Sequence, residues 1–333
     1  MRVIKRVLVW GLGLPVVLLL LLIAAGLISA LWRERGTRAA LRPADGLYVP
    51  AYDTQIFIQR RGDSHAQAGV FISGTAGWSG LWQASMAQVV RLGYQAIAVD
   101  MPPFGFSVPA PSGNYSKLEQ GRRLLAVLNA LGLPQVTIVA HSIGAAPVME
   151  AVFSAPQRFH GLVLIDPALG LDGPQTDGAD TSLQAALRHP TIARPVAAIL
   201  TNPLLTASLL RRVISEKDRA TPDWLVIYQR PLELRGASAG VGQWLPEVIA
   251  PRGQQRSDDL ELYGRLSMPV TLIWGETDTI TPMTQGVHLG RLIPSARLVT
   301  IPRAGHAPQI EEPELFATAL SDALNRVDPK STP

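Results

Sequence analysis

The chain has no cysteine among its 333 residues, which excludes disulfides, a thiol nucleophile and cysteine-ligated metal. Histidine adds little in that direction. His65, His160, His189 and His288 have no metal-ligand spacing, so neither a metal nor a cofactor is expected. A basic face is missing as well. Of the 30 Lys and Arg residues, seven fall in residues 1–42 against one Glu, leaving 23 basic and 25 acidic residues for the rest. The positive excess therefore belongs to the N-terminus, and no nucleic-acid partner is expected.

Charge is absent altogether from Val7 to Trp32. Trp10 and Trp32 stand 22 residues apart, a helical rise of about 33 Å, which matches the hydrocarbon core of a bilayer. Tryptophan at both ends fits the interfacial belt, and Pro15 is tolerable in a membrane helix. The rival is a cleaved signal peptide, but the apolar run is long for one and Ile28-Ser29-Ala30 is a poor cleavage site. The expectation is a single-pass anchor over residues 1–42. Arg2, Lys5 and Arg6 precede it, whereas Arg33, Arg35, Arg38 and Arg42 follow it. A count of basic residues slightly favours a cytoplasmic body, yet a short basic tail before a first apolar helix is how exported anchors begin. The body is placed on the extracytoplasmic side.

What is present centres on Val136–Ala146, VTIVAHSIGAA. Val136, Ile138 and Val139 have the composition of a strand buried on both faces, and Gly144-Ala145-Ala146 opens a helix. Ser142 lies between, with Ala140 and Gly144 two positions to either side. A serine on so tight a strand-to-helix turn needs small neighbours, and its oxygen stands at a helix N-terminus that favours negative charge. The bland alternative is a serine N-cap. The rest of the chain decides between them.

Strand-like and helix-like stretches alternate along most of the remainder. Pro43–Asp53 reads as linker and first turn. Gln55–Arg60, Gly69–Ile72, Gln95–Val99, Leu162–Ile165, Val270–Trp274 and Ala296–Ile301 read as strands. Helices are expected at Trp82–Leu92, Lys117–Leu131, Thr281–Ile293 and Glu312–Leu324. This rhythm predicts an α/β fold, a mostly parallel open sheet with helices on both faces. It breaks between about Ala168 and Ser257, where helix-like pieces follow one another at Leu183–Leu187, Val196–Leu200, Leu204–Ile214 and Trp224–Tyr228. The expected organisation is an anchor (1–42), a core (43–168 and 258–326), a helical cap insertion (169–257) lying over the C-terminal edge of the sheet, and a disordered tail (327–333).

Open α/β sheets place their chemistry beyond the C-terminal strand ends. The residues just past those ends are Ser73-Gly74-Thr75, Ser142, Gly275–Asp278 and Pro302–His306. A serine nucleophile needs a base, and the base needs an anion to orient it. Ser142, His306 and Asp278 supply those roles, with Asp166, also past a strand, as the alternative acid.

With these residues in place, residues 50–325 resemble the α/β-hydrolase superfamily, in its capped, lipase- and esterase-like branch. AHSIG resembles its nucleophile elbow, WGETDTITP its acid loop and GHAPQIEEPELF its histidine turn. DMPPFGFS is similar to its D-x-x-G-x-G-x-S loop, with Pro103 where glycine is usual. The resemblance implies an oxyanion hole formed by the Thr75 and Ile143 amides. It departs at Ser73, where the family usually has histidine before glycine. His141 is expected to be a packed elbow residue, Glu276 a loop carboxylate, and Asp100 and Ser107 holders of turn geometry. Trp78 and Trp82 either line the acyl pocket or pack in the core. Serine as nucleophile argues against dehalogenases and epoxide hydrolases of this fold.

The expected function is a membrane-anchored serine hydrolase cleaving small-molecule carboxylic esters, with lipophilic acyl groups suggested by Trp224, Trp244 and the aliphatic cap. Carbon–carbon hydrolases, lactonases, aminopeptidases and acyltransferases share such a triad. A catalytically silent binding protein on the same scaffold is the alternative from another class.

Overall fold

The computed structural model describes residues 2–171, 182–249 and 255–327. Arg2–Arg33 form one helix, α1, followed by the short α2 (Arg38–Leu41). Gly46–Ala51 (β1) and Thr54–Arg61 (β2) pair as an antiparallel hairpin. Alternation then begins: β3 (Ala68–Ile72), α3 (Gln83–Arg91), β4 (Gln95–Val99), α4 (Lys117–Ala130), β5 (Val136–His141), α5 (Ala145–Ser154) and β6 (Phe159–Ile165). Among the described residues five helices come next: α6 (Ser182–Leu187), α7 (Pro190–Leu200), α8 (Pro203–Val213), α9 (Pro222–Gln229) and α10 (Ala237–Ile249). The short α11 (Leu260–Gly264) leads into β7 (Val270–Gly275), α12 (Met283–Leu292), β8 (Ala296–Ile301), α13 (Pro308–Glu311) and α14 (Pro313–Val327).

The eight strands form one sheet in the order β1-β2-β4-β3-β5-β6-β7-β8, antiparallel at β1–β2 and β2–β4 and parallel elsewhere. Every residue of β3, β4, β5 and β7 is buried, because helices cover both faces of these strands. Successive residues feed opposite cores. Val70, Ile72, Ile138 and Ala140 pack with Leu124 and Leu128 of α4, Val148 and Val152 of α5 and Leu289 of α12. Phe71 and Val139 pack on the other face with Met86 and Val89 of α3 and Phe316, Leu320 and Leu324 of α14. Each fully buried aliphatic side chain contributes about 1.5–3 kcal/mol towards offsetting chain entropy.

One expectation is corrected. Pro43–Asp53 is not only linker and turn, since Gly46–Ala51 is a strand with Val49 and Ala51 buried. Pro50 masks the strand in the sequence, and it is tolerated because β1 is the sheet edge, where a missing N–H forfeits no ladder bond to a further strand. The cap region also carries a helix the sequence pattern did not reveal, α10, which contains Pro246. Much of the polar stretch opening the insertion (172–181) and the tail from 328 onward lie outside the described residues.

The Pro15–Arg33 part of α1 is the one described helix long and apolar enough by itself to cross a membrane. Val16–Leu22 are each about half exposed or more. This length and composition are shared by membrane anchors and signal sequences.

Candidate active site

The sheet order brings the loops after β3 and β5 side by side, and Ile72 pairs with Ala140, so Ser73-Gly74 lies next to His141-Ser142. This is the switch point at which open α/β sheets present a crevice. Ser142 opens a 3₁₀ turn (Ser142–Gly144) ahead of α5 with φ +53°, a left-handed conformation that costs a side-chain-bearing residue about 1–2 kcal/mol. The surrounding backbone leaves little room there. A Cβ on Gly74 would come 2.7 Å from the Ser142 Cβ, and one on Gly144 would meet the Ser73 carbonyl. The small residues around Ser142 are thus a steric requirement of the turn.

Three sequence-selected side chains meet at this edge. The Ser142 hydroxyl and His306 Nε2 are 2.7 Å apart, and His306 Nδ1 is 2.7 Å from Asp278 Oδ2. All three residues are buried. Asp278 also accepts from the amides of Ile280 (2.7 Å) and Thr281 (3.1 Å) and from the Thr281 hydroxyl (2.6 Å). Burial pushes the Asp278 carboxyl up, but hydrogen bonding to His306, the imidazole's charge and the Thr281 and Ile280 donors outweigh it and hold the group below its ordinary range. Asp278 is therefore the anion of the cluster.

Asp166 lies close by and plays no such part in the geometry. Its Oδ1 accepts from the Gly275 amide at 2.8 Å, while its Oδ2 is buried without a hydrogen-bond partner. Complete burial, with the Asp278 charge and the side-chain interaction with that carboxyl adding to it, pushes the Asp166 carboxyl well above its usual value. The two carboxylic acids are thus driven apart, one ionised and one neutral. Asp166, Asp278 and His306 have ligand-type atoms within 4.8 Å of one another, the one such group among the described residues. Asp278 and His306 already pair in it, and one of its carboxyls is held neutral.

His141 is a packed residue, as its position beside the elbow suggested. Burial and the nearby His306 push it down to about 3. In the neutral ring, Nε2–H donates to the His306 carbonyl at 2.7 Å. Glu276 is exposed. Asp100 accepts from the Ser79 and Phe106 amides, and the Ser107 hydroxyl donates to the Asp100 carbonyl and accepts from the Phe57 amide. Both therefore organise turns. Trp82 packs on Phe71 in the core, and Trp78 donates to the Ile227 carbonyl, so neither lines the cavity.

Ser73 holds its loop by hydrogen bonds. Its hydroxyl accepts from Trp82 Nε1 at 2.8 Å and donates to the Trp78 carbonyl at 3.2 Å. Ser73→Ala leaves a buried indole N–H unpaired, which costs about 1–3 kcal/mol. Urea unfolding should register a loss of that size, with kcat falling more than KM rises as the loop loosens. Unchanged stability and kcat would mean the latch carries no weight.

One residue escaped the sequence reading. Glu311, fully buried, accepts at Oε1 from the Gly305 (2.9 Å) and Ala307 (3.2 Å) amides and at Oε2 from the Ser215 (2.6 Å) and Glu216 (3.0 Å) amides. It ties the turn bearing His306 to the end of the cap helix α8. The His306 amide also donates to the Val213 carbonyl of α8. The only sequence signal was a glutamate five positions past the histidine.

A cavity of about 460 Å³ opens beside Ser142, lined by Gly74, Ile143, Met101, Phe104, Leu169 and Trp244, with Lys117, Glu247 and Asp258 among its polar residues. Lys117 is paired with Asp258 at 2.8 Å. The fold and this constellation define a serine hydrolase of α/β architecture.

Comparison with known proteins agrees. The sequence profile described as alpha/beta hydrolase fold matches residues 70–313, and the chain belongs to that family. It is 25% identical over 254 residues to a 2-hydroxy-6-oxononadienedioate/2-hydroxy-6-oxononatrienedioate hydrolase of Cupriavidus pinatubonensis, covering 75% of this chain and 83% of the relative. Among solved structures it resembles a thermophilic esterase from Thermogutta terrifontis (TM-score 0.65, 21% identity, 85% of this chain and 99% of that one). It also resembles a bacterial membrane phospholipase A (TM-score 0.64, 21% identity, 98% and 99%). At these identities the structural likeness is one of fold.

Proposed function

We propose that the protein is a membrane-anchored esterase that cleaves uncharged or zwitterionic carboxylic esters with lipophilic acyl chains. The observation carrying this reading is the continuous hydrogen-bonded run from Ser142 through His306 to Asp278, with a cavity of mixed apolar and polar lining that begins at the neighbouring Gly74 and Ile143. Ser142 attacks the ester carbonyl while His306 takes its proton. The imidazolium then protonates the leaving alkoxide, and a water deprotonated by the same ring releases the acid. Asp278 fixes the tautomer and stabilises the cation.

The Thr75 and Ile143 amides are the oxyanion donors in this scheme. Ile143 follows the nucleophile directly, and the Thr75 amide donates to no backbone group among the described residues. Residues 1–42 serve as the anchor, 43–168 with 258–326 as the core and 169–257 as the cap, with the body on the extracytoplasmic side. The likeness to the membrane phospholipase A extends over the N-terminal helix as well, which supports a substrate drawn from lipid.

The relative from Cupriavidus favours a second reading, carbon–carbon hydrolysis of a dienedioate. The cavity lining argues against it. Among the described residues Lys117 is the one cationic lining residue and is already paired, while Glu247 and Asp258 are acidic, a poor setting for a dianion. A series of nitrophenyl esters should give kcat/KM rising from acetate to octanoate, since each added methylene buried in an apolar pocket is worth about 0.8 kcal/mol. Turnover of acetate alone would sink the lipophilic reading. Dienedioate cleavage faster than any ester would install the other.

A further inference from the structure

The cap does more than cover the cavity, for it touches α1. Gly26 packs against Ile199 and Ala198 of α7, so closely that a Cβ there would come 2.9 Å from the Ile199 side chain. Ala30, four residues on and therefore on the same helix face, is buried too. At the end of α1, Arg33 donates to the Thr201 hydroxyl at 3.0 Å and to the Leu232 carbonyl at 2.9 Å, and Glu34 accepts from the Ser238 amide. Thr201 is the first residue of the elbow at which the chain turns by 76° from α7 into α8.

That elbow is therefore held against the last two turns of α1, in which Trp32 is exposed and covered on one side by the Arg35 guanidinium. Its own surface is apolar. Leu204 is 87% exposed, the most exposed large hydrophobic side chain among the described residues, and Leu200 and Leu209 are exposed with it. The opposite side of α8 is committed to protein, with Leu210, Val213 and Ile214 packed against Ala307, Ile310 and Trp224. Arg211 and Arg212 lie in its last turn.

We infer that the α7–α8 elbow, led by Leu204, is a second membrane contact, seated in the lipid interface beside the exit of α1. This rests on the reading of α1 as a retained anchor. The argument is one of continuity. The apolar surface of α1 and that of the elbow adjoin through the Gly26–Ile199 and Arg33–Thr201 contacts, so a bilayer that holds Trp32 at its surface also meets the elbow that carries Leu200 and Leu204. The consequence reaches the site, because α8 runs from this elbow to Val213, whose carbonyl accepts the His306 amide. Lipid contact at one end of α8 thus steadies the turn that carries the imidazole at the other.

The absence of cysteine makes the test clean. Full-length Leu204→Cys, Leu20→Cys and Tyr52→Cys, each labelled with an environment-sensitive fluorophore, are reconstituted in phosphatidylcholine–phosphatidylglycerol vesicles with and without nitroxide-bearing lipid. Leu20 reports the anchor, and Tyr52, exposed in the β1–β2 turn, reports water. The inference expects blue-shifted emission at 204 and at least twofold quenching by nitroxide, with 52 unaffected. Quenching at 20 but not at 204 overturns the inference and leaves the anchor standing, whereas quenching at neither removes both. A blue shift at 204 that depends on protein concentration and not on nitroxide means that a second copy covers the elbow, which also overturns it. As a functional arm, Leu204→Asp should keep its rate on a soluble short-chain ester and lose severalfold on a vesicle-embedded ester. Equal rates on both would count against the contact.

Discussion

Ser142→Ala should abolish ester turnover, lowering kcat by on the order of 10⁶, the loss typical when a triad nucleophile is removed. A fluorophosphonate probe should label the parent and not the variant. Folding should survive. Alanine meets the same left-handed backbone that serine already occupies at φ +53°, and its side chain is the smaller. Glycine at 142 should leave the protein more stable than alanine does by about 1 kcal/mol, since it adopts that conformation without a Cβ penalty. An unlabelled but properly folded parent would favour a silent scaffold. A labelled Ser142→Ala would place the nucleophile elsewhere.

Asp278→Asn should cost about 10⁴ in kcat, as it does when the acid of such a triad becomes an amide and the imidazole takes the wrong tautomer. Asp166→Asn should cost less than about tenfold, because an amide closely imitates the neutral acid that burial enforces there. The contrast carries the information, for the two carboxyls are neighbours whose charge states differ only through their surroundings. Asp278 collects three donors besides His306, whereas among the described residues the Asp166 carboxyl accepts from the Gly275 amide alone. Rates measured on purified variants with one ester decide it, and a reversed order would transfer the orienting role to Asp166.

Much of the core was legible because its physics is local. Strands buried on both faces are written as short apolar runs, and β3 through β7 followed them closely. Where a local rule competes with position, legibility failed. Pro50 disguised an edge strand, and Pro246 with Gly240 and Gly242 disguised α10. Glu311 was invisible for another reason. Its four amide partners come from two segments about ninety residues apart, and nothing in the spacing foretells that they converge.

The order of residue types along the chain was enough to determine an alternating α/β core, a serine on a tight turn, and a histidine and an acid at later strand ends, since strand periodicity and the sterics of small residues act within a few positions. Only the folded arrangement decided which aspartate is ionised, that Ser73 is latched by an indole, and that the apolar N-terminal helix leans on the cap. Those outcomes depend on burial and on donors brought from distant segments, quantities that do not exist until the layers have packed.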